Sequence, residues 1–171
     1  MKAKHFLITL GLSLILFSSY AQDWDALSDL SFKDAQDCRN YDDEALIATN
    51  FILNAPLEVN SSDMDHVNAW LFMFKWMITT ADYHFMLDDT YSKMMKPNEN
   101  LVGVVLASMV RTVMENNDKN LSEWDIKLLY VNLFLDYCTN PANGVKLKKD
   151  LKKMVQARDE NRLEEYLKSS E

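Results

Sequence analysis

Imidazoles are scarce in this sequence. Beyond the first 21 residues only His66 and His84 occur. Asp63-x-x-His66 sets a carboxylate and an imidazole about one helical turn apart, enough for two ligands of a metal. A di-iron carboxylate bundle needs about two such pairs and two further Glu residues, and one pair is present. Structural zinc requires four ligands, and no CxxC occurs. Asp88-Asp89 lacks the alternating acids and the glycine of a calcium loop.

The methionines suggest a softer site. Met73 and Met77 are four residues apart, and His84-Phe85-Met86 follows shortly after. Thioethers with an imidazole suit Cu(I). The same methionines, beside Trp70, Phe74 and Trp76, also suit a core, where Met fills irregular gaps. Met73, Met77, His84 and Met86 are therefore the candidate metal ligands, with core packing as the competing reading, and no cofactor is assigned.

Covalent catalysis lacks a signature. There is no GxSxG elbow. Cys38 or Cys138 could pair with His66 or His84 only if the fold joined them. Gly103 and Gly144 are the only glycines after the first 21 residues, so no phosphate-cradling loop exists. The acids allow paired-carboxylate chemistry in principle, but most fall in polar stretches that suit solvated faces. Cys38 and Cys138 are either buried thiols or a disulfide. A bridge would close a loop of about 100 residues, worth up to ~4–5 kcal/mol in the chain-entropy account.

The elements that must position these groups are helical. The 171 residues contain 48% hydrophobic residues, but only three glycines and three prolines. A many-stranded sandwich or barrel needs more turns than that. Residues 1–21 have the layout of a cleaved secretory signal peptide: Lys2, Lys4 and His5, an apolar run from Phe6 to Phe17, then small Ser19 and Ala21 before Gln22. The run falls short of the roughly 20 residues that span a bilayer. The expectation is a periplasmic or extracellular protein with no stable membrane insertion after leader removal.

Residues 22–40 suggest an acidic arm or short helix, and residues 41–168 a single helical domain. Five to six helices are expected. Helix A begins after Asp42 as its N-cap and ends at Asn54-Ala55-Pro56. Helix B covers about 63–79, with Ser62-x-x-Asp65 as a capping box and apolar residues all round. Helix C runs from Ala81 to about Met95 behind Thr80, and helix D from Glu99 to Glu115. Helix E starts at Ser122-x-x-Asp125 and ends before the Asn140-Pro141 turn. Helix F covers about 145–167. Helix starts near 43, 81 and 122 are spaced by about 40 residues, which suggests antiparallel hairpins in a short helical-repeat-like stack; a compact bundle fits equally well. Helices B, D and E are expected at the core, with A and F covering it.

Charge narrows the partners. The net charge is −8, and without Lys2 and Lys4 the balance is 16 basic against 26 acidic residues. That excludes nucleic acid, whose phosphates require a basic surface. Five lysines between Lys146 and Lys153 suit a solvated face of the last helix, or a patch for acidic partners. The resulting expectation is an exported, non-catalytic protein-interaction or accessory module that meets another protein. A small-ligand or Cu(I) carrier is the second reading, and an enzyme of unfamiliar type using His66 or His84 the third.

Overall fold

A computed structural model describes residues 22–95, 99–117 and 119–169. The leader assigned to residues 1–21 lies outside these. Every regular element among the described residues is helical. In chain order they are α1 (Trp24–Ser28), α2 (Ala35–Arg39), α3 (Asp42–Leu53), α4 (Leu57–Ser62), α5 (Met64–Thr79), α6 (Asp89–Met95), α7 (Val102–Glu115), α8 (Glu123–Thr139), α9 (Lys149–Asp159) and α10 (Leu163–Lys168). Single 3-10 turns at Glu99–Leu101 and Pro141–Asn143 precede α7 and follow α8. The all-α expectation holds, but among the described residues ten helices replace the expected five or six.

The extra helices have local causes. The acidic arm is two short helices, and its acids start them. Asp23 accepts the Ala26 N–H, and Asp34 accepts the N–H groups of Gln36 and Asp37. Trp24, Leu27 and Cys38 are buried, so the arm is docked, with α1 against α5. Lys75 on α5 donates to the Ser28 and Leu30 carbonyls, holding the end of α1. Pro56 precedes α4, which fills the gap between the first two long helices.

Helix C is half the expected length. Thr80 to Asp88 is not helical, and α6 starts only at Asp89. Tertiary contacts hold this segment outside the helix. At one end Asp82 pairs with Arg39 of α2, and that contact holds the Asp82 carboxyl below its usual range. At the other, Asp88 accepts the Thr90 and Tyr91 N–H groups and meets Lys127 of α8 at 2.6 Å. Helix F is two helices. Asn161 takes a left-handed φ of 56° and turns the chain between α9 and α10, a conformation asparagine tolerates better than most residues.

Two expected caps shift. Asp42 is the first residue of α3 and not its cap; its carboxylate instead accepts the Trp76 indole N–H at 3.0 Å and the Tyr83 hydroxyl at 3.3 Å. Asp63, not Ser62, caps α5. The Ser122–Asp125 capping box forms as expected, with bonds in both directions.

The core differs in one respect from expectation. α3 is central and packs against both α5 and α7, while α7 also packs on α8. Ala45 and Ala48 are fully buried, and such small side chains let neighbouring helices come close. α5 is not apolar all round in its setting. Ala69, Phe72, Met73 and Trp76 are buried, whereas Ile78 is 65% exposed. α9 packs on α8 and α6, and α10 on α9. Trp124 of α8 ties down α10: its indole N–H donates to Glu164, and Lys127 and Lys168 lie 4.8 and 5.0 Å from its ring. No described helix is long and apolar enough to cross a membrane.

Candidate functional site

The residues around His66 are positioned by the entry into α5. Asp63 caps that helix, accepting the His66 backbone N–H at 3.3 Å and the ring Nδ1–H at 3.0 Å. These two bonds hold the Asp63 carboxyl below its ordinary range. The His66 ring is nearly buried and stacks on Phe51 of α3, with centroids 3.9 Å apart. Phe51 in turn stacks on Trp24, 5.3 Å away. The sequence pair Asp63–His66 is therefore real, and its first role is to cap a helix and anchor the α1–α3–α5 junction.

One turn further along α5, Trp70 stacks nearly parallel on Phe74, at 5.7 Å. Its indole lies against Gly103 of α7. A Cβ at Gly103 would sit 2.8 Å from Trp70 Cδ1 and 3.4 Å from Nε1. Only hydrogen fits there. Gly103→Ala would gain ~1 kcal/mol of helix propensity. Overpacking against the indole costs ~1–3 kcal/mol and should outweigh that gain. The variant should therefore unfold at lower urea with altered tryptophan emission; a more stable variant would contradict this packing.

Asn60 of α4 completes the arrangement. Its Nδ2 lies 2.9 Å from the Ile52 carbonyl, 3.3 Å from the Ala55 carbonyl and 3.2 Å from the Tyr137 hydroxyl. Asn60, His66, Trp70, Glu99 and Gly103 border a cleft of about 390 Å³, whose remaining walls include Ile52, Val67 and Val102. Two polar atoms of its bordering residues, Trp70 Nε1 and Asn60 Oδ1, are buried without a hydrogen-bond partner. Such orphans are few in native proteins and each calls for a reason.

A second cleft, of about 260 Å³, lies between the 82–86 segment, the end of α7 and the start of α8. His84 and Met86 border it, together with Asp82 and Glu123. His84 is exposed. Met73 and Met77 are buried on α5 and are not among the residues bordering this cleft. The structure thus places the four candidate metal ligands in two settings, Met73 and Met77 in the core and exposed His84 with half-buried Met86 at the cleft. No group of three or more His, Cys, Asp or Glu among the described residues is placed to hold a metal ion.

Cys38 and Cys138 are both buried free thiols. Cys38 Sγ lies 4.0 Å from the Trp76 carbonyl, and burial, with Asp42 nearby, raises its pKa. Burial pushes the Cys138 thiol up to about 12, against a lowering influence from Arg158. Neither is primed as a nucleophile, since the thiolate is the disfavoured form at both.

No model of a known protein family, no curated protein and no solved structure matches this chain. The functional assignment rests on its own geometry. Sequence reasoning missed Asn60, Trp70 and Gly103 as a unit. Gly103 carried the available signal: an isolated glycine within a helical run marks a close approach.

Proposed function

We propose that the chain is an exported, non-catalytic binding module whose recognition site is the cleft between α4, α5 and the start of α7. One observation carries this reading: an unpaired donor and an unpaired acceptor on residues bordering the same mostly apolar cleft. The cleft is of ligand size, and apolar walls with a few polar groups are the usual composition of a binding site. Export rests on the three-part leader at residues 1–21. Two polar side chains at the cleft already have structural work. His66 Nδ1 is tied to the Asp63 cap, and the Asn60 amide nitrogen to two backbone carbonyls. These commitments favour recognition over reaction.

Thermal unfolding of protein starting at Gln22, screened against neutral, cationic and anionic small molecules, tests the reading. Neutral compounds should raise the melting temperature of the wild type, lose that effect in Gly103→Ala, and be recovered unchanged. Conversion of a stabilising compound into product, or stabilisation indifferent to Gly103→Ala, would overturn it. Mass analysis of the exported protein should give a chain beginning at Gln22.

A further inference from the structure

We infer that the chain assembles head to tail with a second copy of itself. The lysine-rich start of α9 on one copy docks against the acidic face of residues 22–44 on the next. The inference goes beyond the cleft and does not depend on it. Lys146, Lys148, Lys149, Lys152 and Lys153 are all exposed, and none of their side chains meets a carboxylate among the described residues. Asp150 is the one acid among them. Elsewhere Arg39, Arg111, Lys127, Arg158, Arg162 and Lys168 each pair with an acid. The five lysines are also poorly placed for their own helix. Lys148 is the N-cap of α9 and makes no side-chain capping bond, and Lys149 is its first residue. Cations at that end oppose the helix dipole. The fold itself thus supplies this cluster with no counter-charge.

The matching charge lies in another part of the helix stack. Residues 22–44 hold eight acids against Lys33 and Arg39, and Arg39 is taken by Asp82. Asp23, Asp25, Asp29, Asp34 and Asp43 are exposed. α1, α2 and α3 pack on α5, whereas α9 packs on α8, α6 and α10. The run of contacts from α1 to α9 passes through α5, α7 and α8. One copy therefore carries both charges apart, and a neighbouring copy can bring them together. Such a contact joins two different faces, so it leaves one free end of each kind and propagates as a chain or ring. A lipid surface fits the lysines less well. Leu151, Met154 and Ala157, the apolar face of α9, are buried in the fold. The large hydrophobic side chains exposed among the described residues, from Ile47 to Leu129, all lie on other elements. Nothing beside the lysines is left to enter a bilayer. A net charge of −8 adds repulsion from any large polyanion.

Sedimentation of protein beginning at Gln22 tests the inference. At about 0.01 M salt the average mass should rise with protein concentration above that of a monomer. Raising salt to about 1 M should weaken this association roughly tenfold or more, because the screening length falls to ~3 Å. Two variants separate the ends. One is Lys149→Glu with Lys152→Glu and Lys153→Glu; the other is Asp29→Lys with Asp43→Lys and Glu44→Lys. Each should keep the wild-type helix content by circular dichroism and sediment as a monomer at low salt. Each also keeps one end intact, so mixing the two should restore a one-to-one complex that grows no further. A wild type that stays monomeric at low salt would overturn the inference. So would association that survives either set of reversals, or a mixture that forms no pair. Lysine-dependent binding to phosphatidylglycerol vesicles by a wild type that remains monomeric would assign the patch to a membrane instead. None of these outcomes bears on the cleft, whose reading has its own test.

Discussion

Trp76→Ala should cost about 3–5 kcal/mol, the range for truncating a large buried aromatic. Trp76 is fully buried. Its ring lies 5.3 Å from Tyr83 and 6.2 Å from Phe85, both in the non-helical segment after α5. Its indole N–H donates to Asp42 on α3, and the Tyr83 hydroxyl donates to the same carboxylate. One side chain thus joins α3, α5 and the 80–88 segment. A domain of this kind is stable by about 5–15 kcal/mol in total, so the variant should be close to unfolded at moderate temperature. Trp76→Phe keeps much of the apolar contact and loses the indole bond, so it should cost less, about 1–2 kcal/mol from that bond plus a smaller packing loss. Urea midpoints at neutral pH separate these outcomes. A loss below about 1 kcal/mol for Trp76→Ala would show that the residue is not the hub described.

The second large effect is alkaline unfolding. Burial pushes the Tyr137 hydroxyl from 10.0 up to about 12 and the Cys138 thiol from 9.0 up to about 12. The Tyr137 hydroxyl donates to the Ala55 carbonyl at 2.9 Å and accepts from Asn60, so its neutral form is built into the fold. Both groups hold their protons more tightly when folded than when unfolded. Their contribution is fully present below pH 9. It falls as the pH rises, from pH 9 for Cys138 and from pH 10 for Tyr137, until both titrate in the folded state near pH 12. The combined loss is on the order of a few kcal/mol between pH 9 and pH 11. The double variant Tyr137→Phe, Cys138→Ala should have a visibly flatter dependence of urea midpoint on pH, whatever its stability at pH 7. Equal slopes for wild type and variant would place the alkaline sensitivity elsewhere.

The elements that were legible in the sequence are those whose information is local. α5 and α8 appear within a residue or so of the expected bounds, because a long apolar run and a nearby N-cap specify a helix without help. The Ser122–Asp125 box and the Asn140-Pro141 turn are equally local. What failed was decided across the fold. Nothing near Thr80 announces that the chain will stay out of a helix until Asp89; Arg39 and Lys127, distant in sequence, hold Asp82 and Asp88. The break at Asn161 lacks a glycine or proline to mark it. Residues 22–40 suggested an acidic arm or short helix, and Asp23 and Asp34 there cap two helices; Asp42, expected as a cap, is the partner of a buried indole, and Asp63 caps α5 in place of Ser62.

The candidate site divides in the same way. Asp63–His66 was visible as a spacing within one helix. Its structural use was not, since stacking on Phe51 depends on where α3 lies. Trp70, Gly103 and Asn60 come from three helices, and their relation is set wholly by packing. An orphaned donor and acceptor can be recognised only once every other partner has been placed.

The most direct measurement is the indole N–H proton spectrum of the free protein. Trp76 and Trp124 donate to the carboxylates of Asp42 and Glu164, and hydrogen bonding moves such protons downfield. The Trp70 proton should lie clearly upfield of both, as expected of a buried N–H with no acceptor. A Trp70 proton as far downfield as theirs would mean that the protein itself already supplies the acceptor, and the cleft would lose the feature that makes it a binding site.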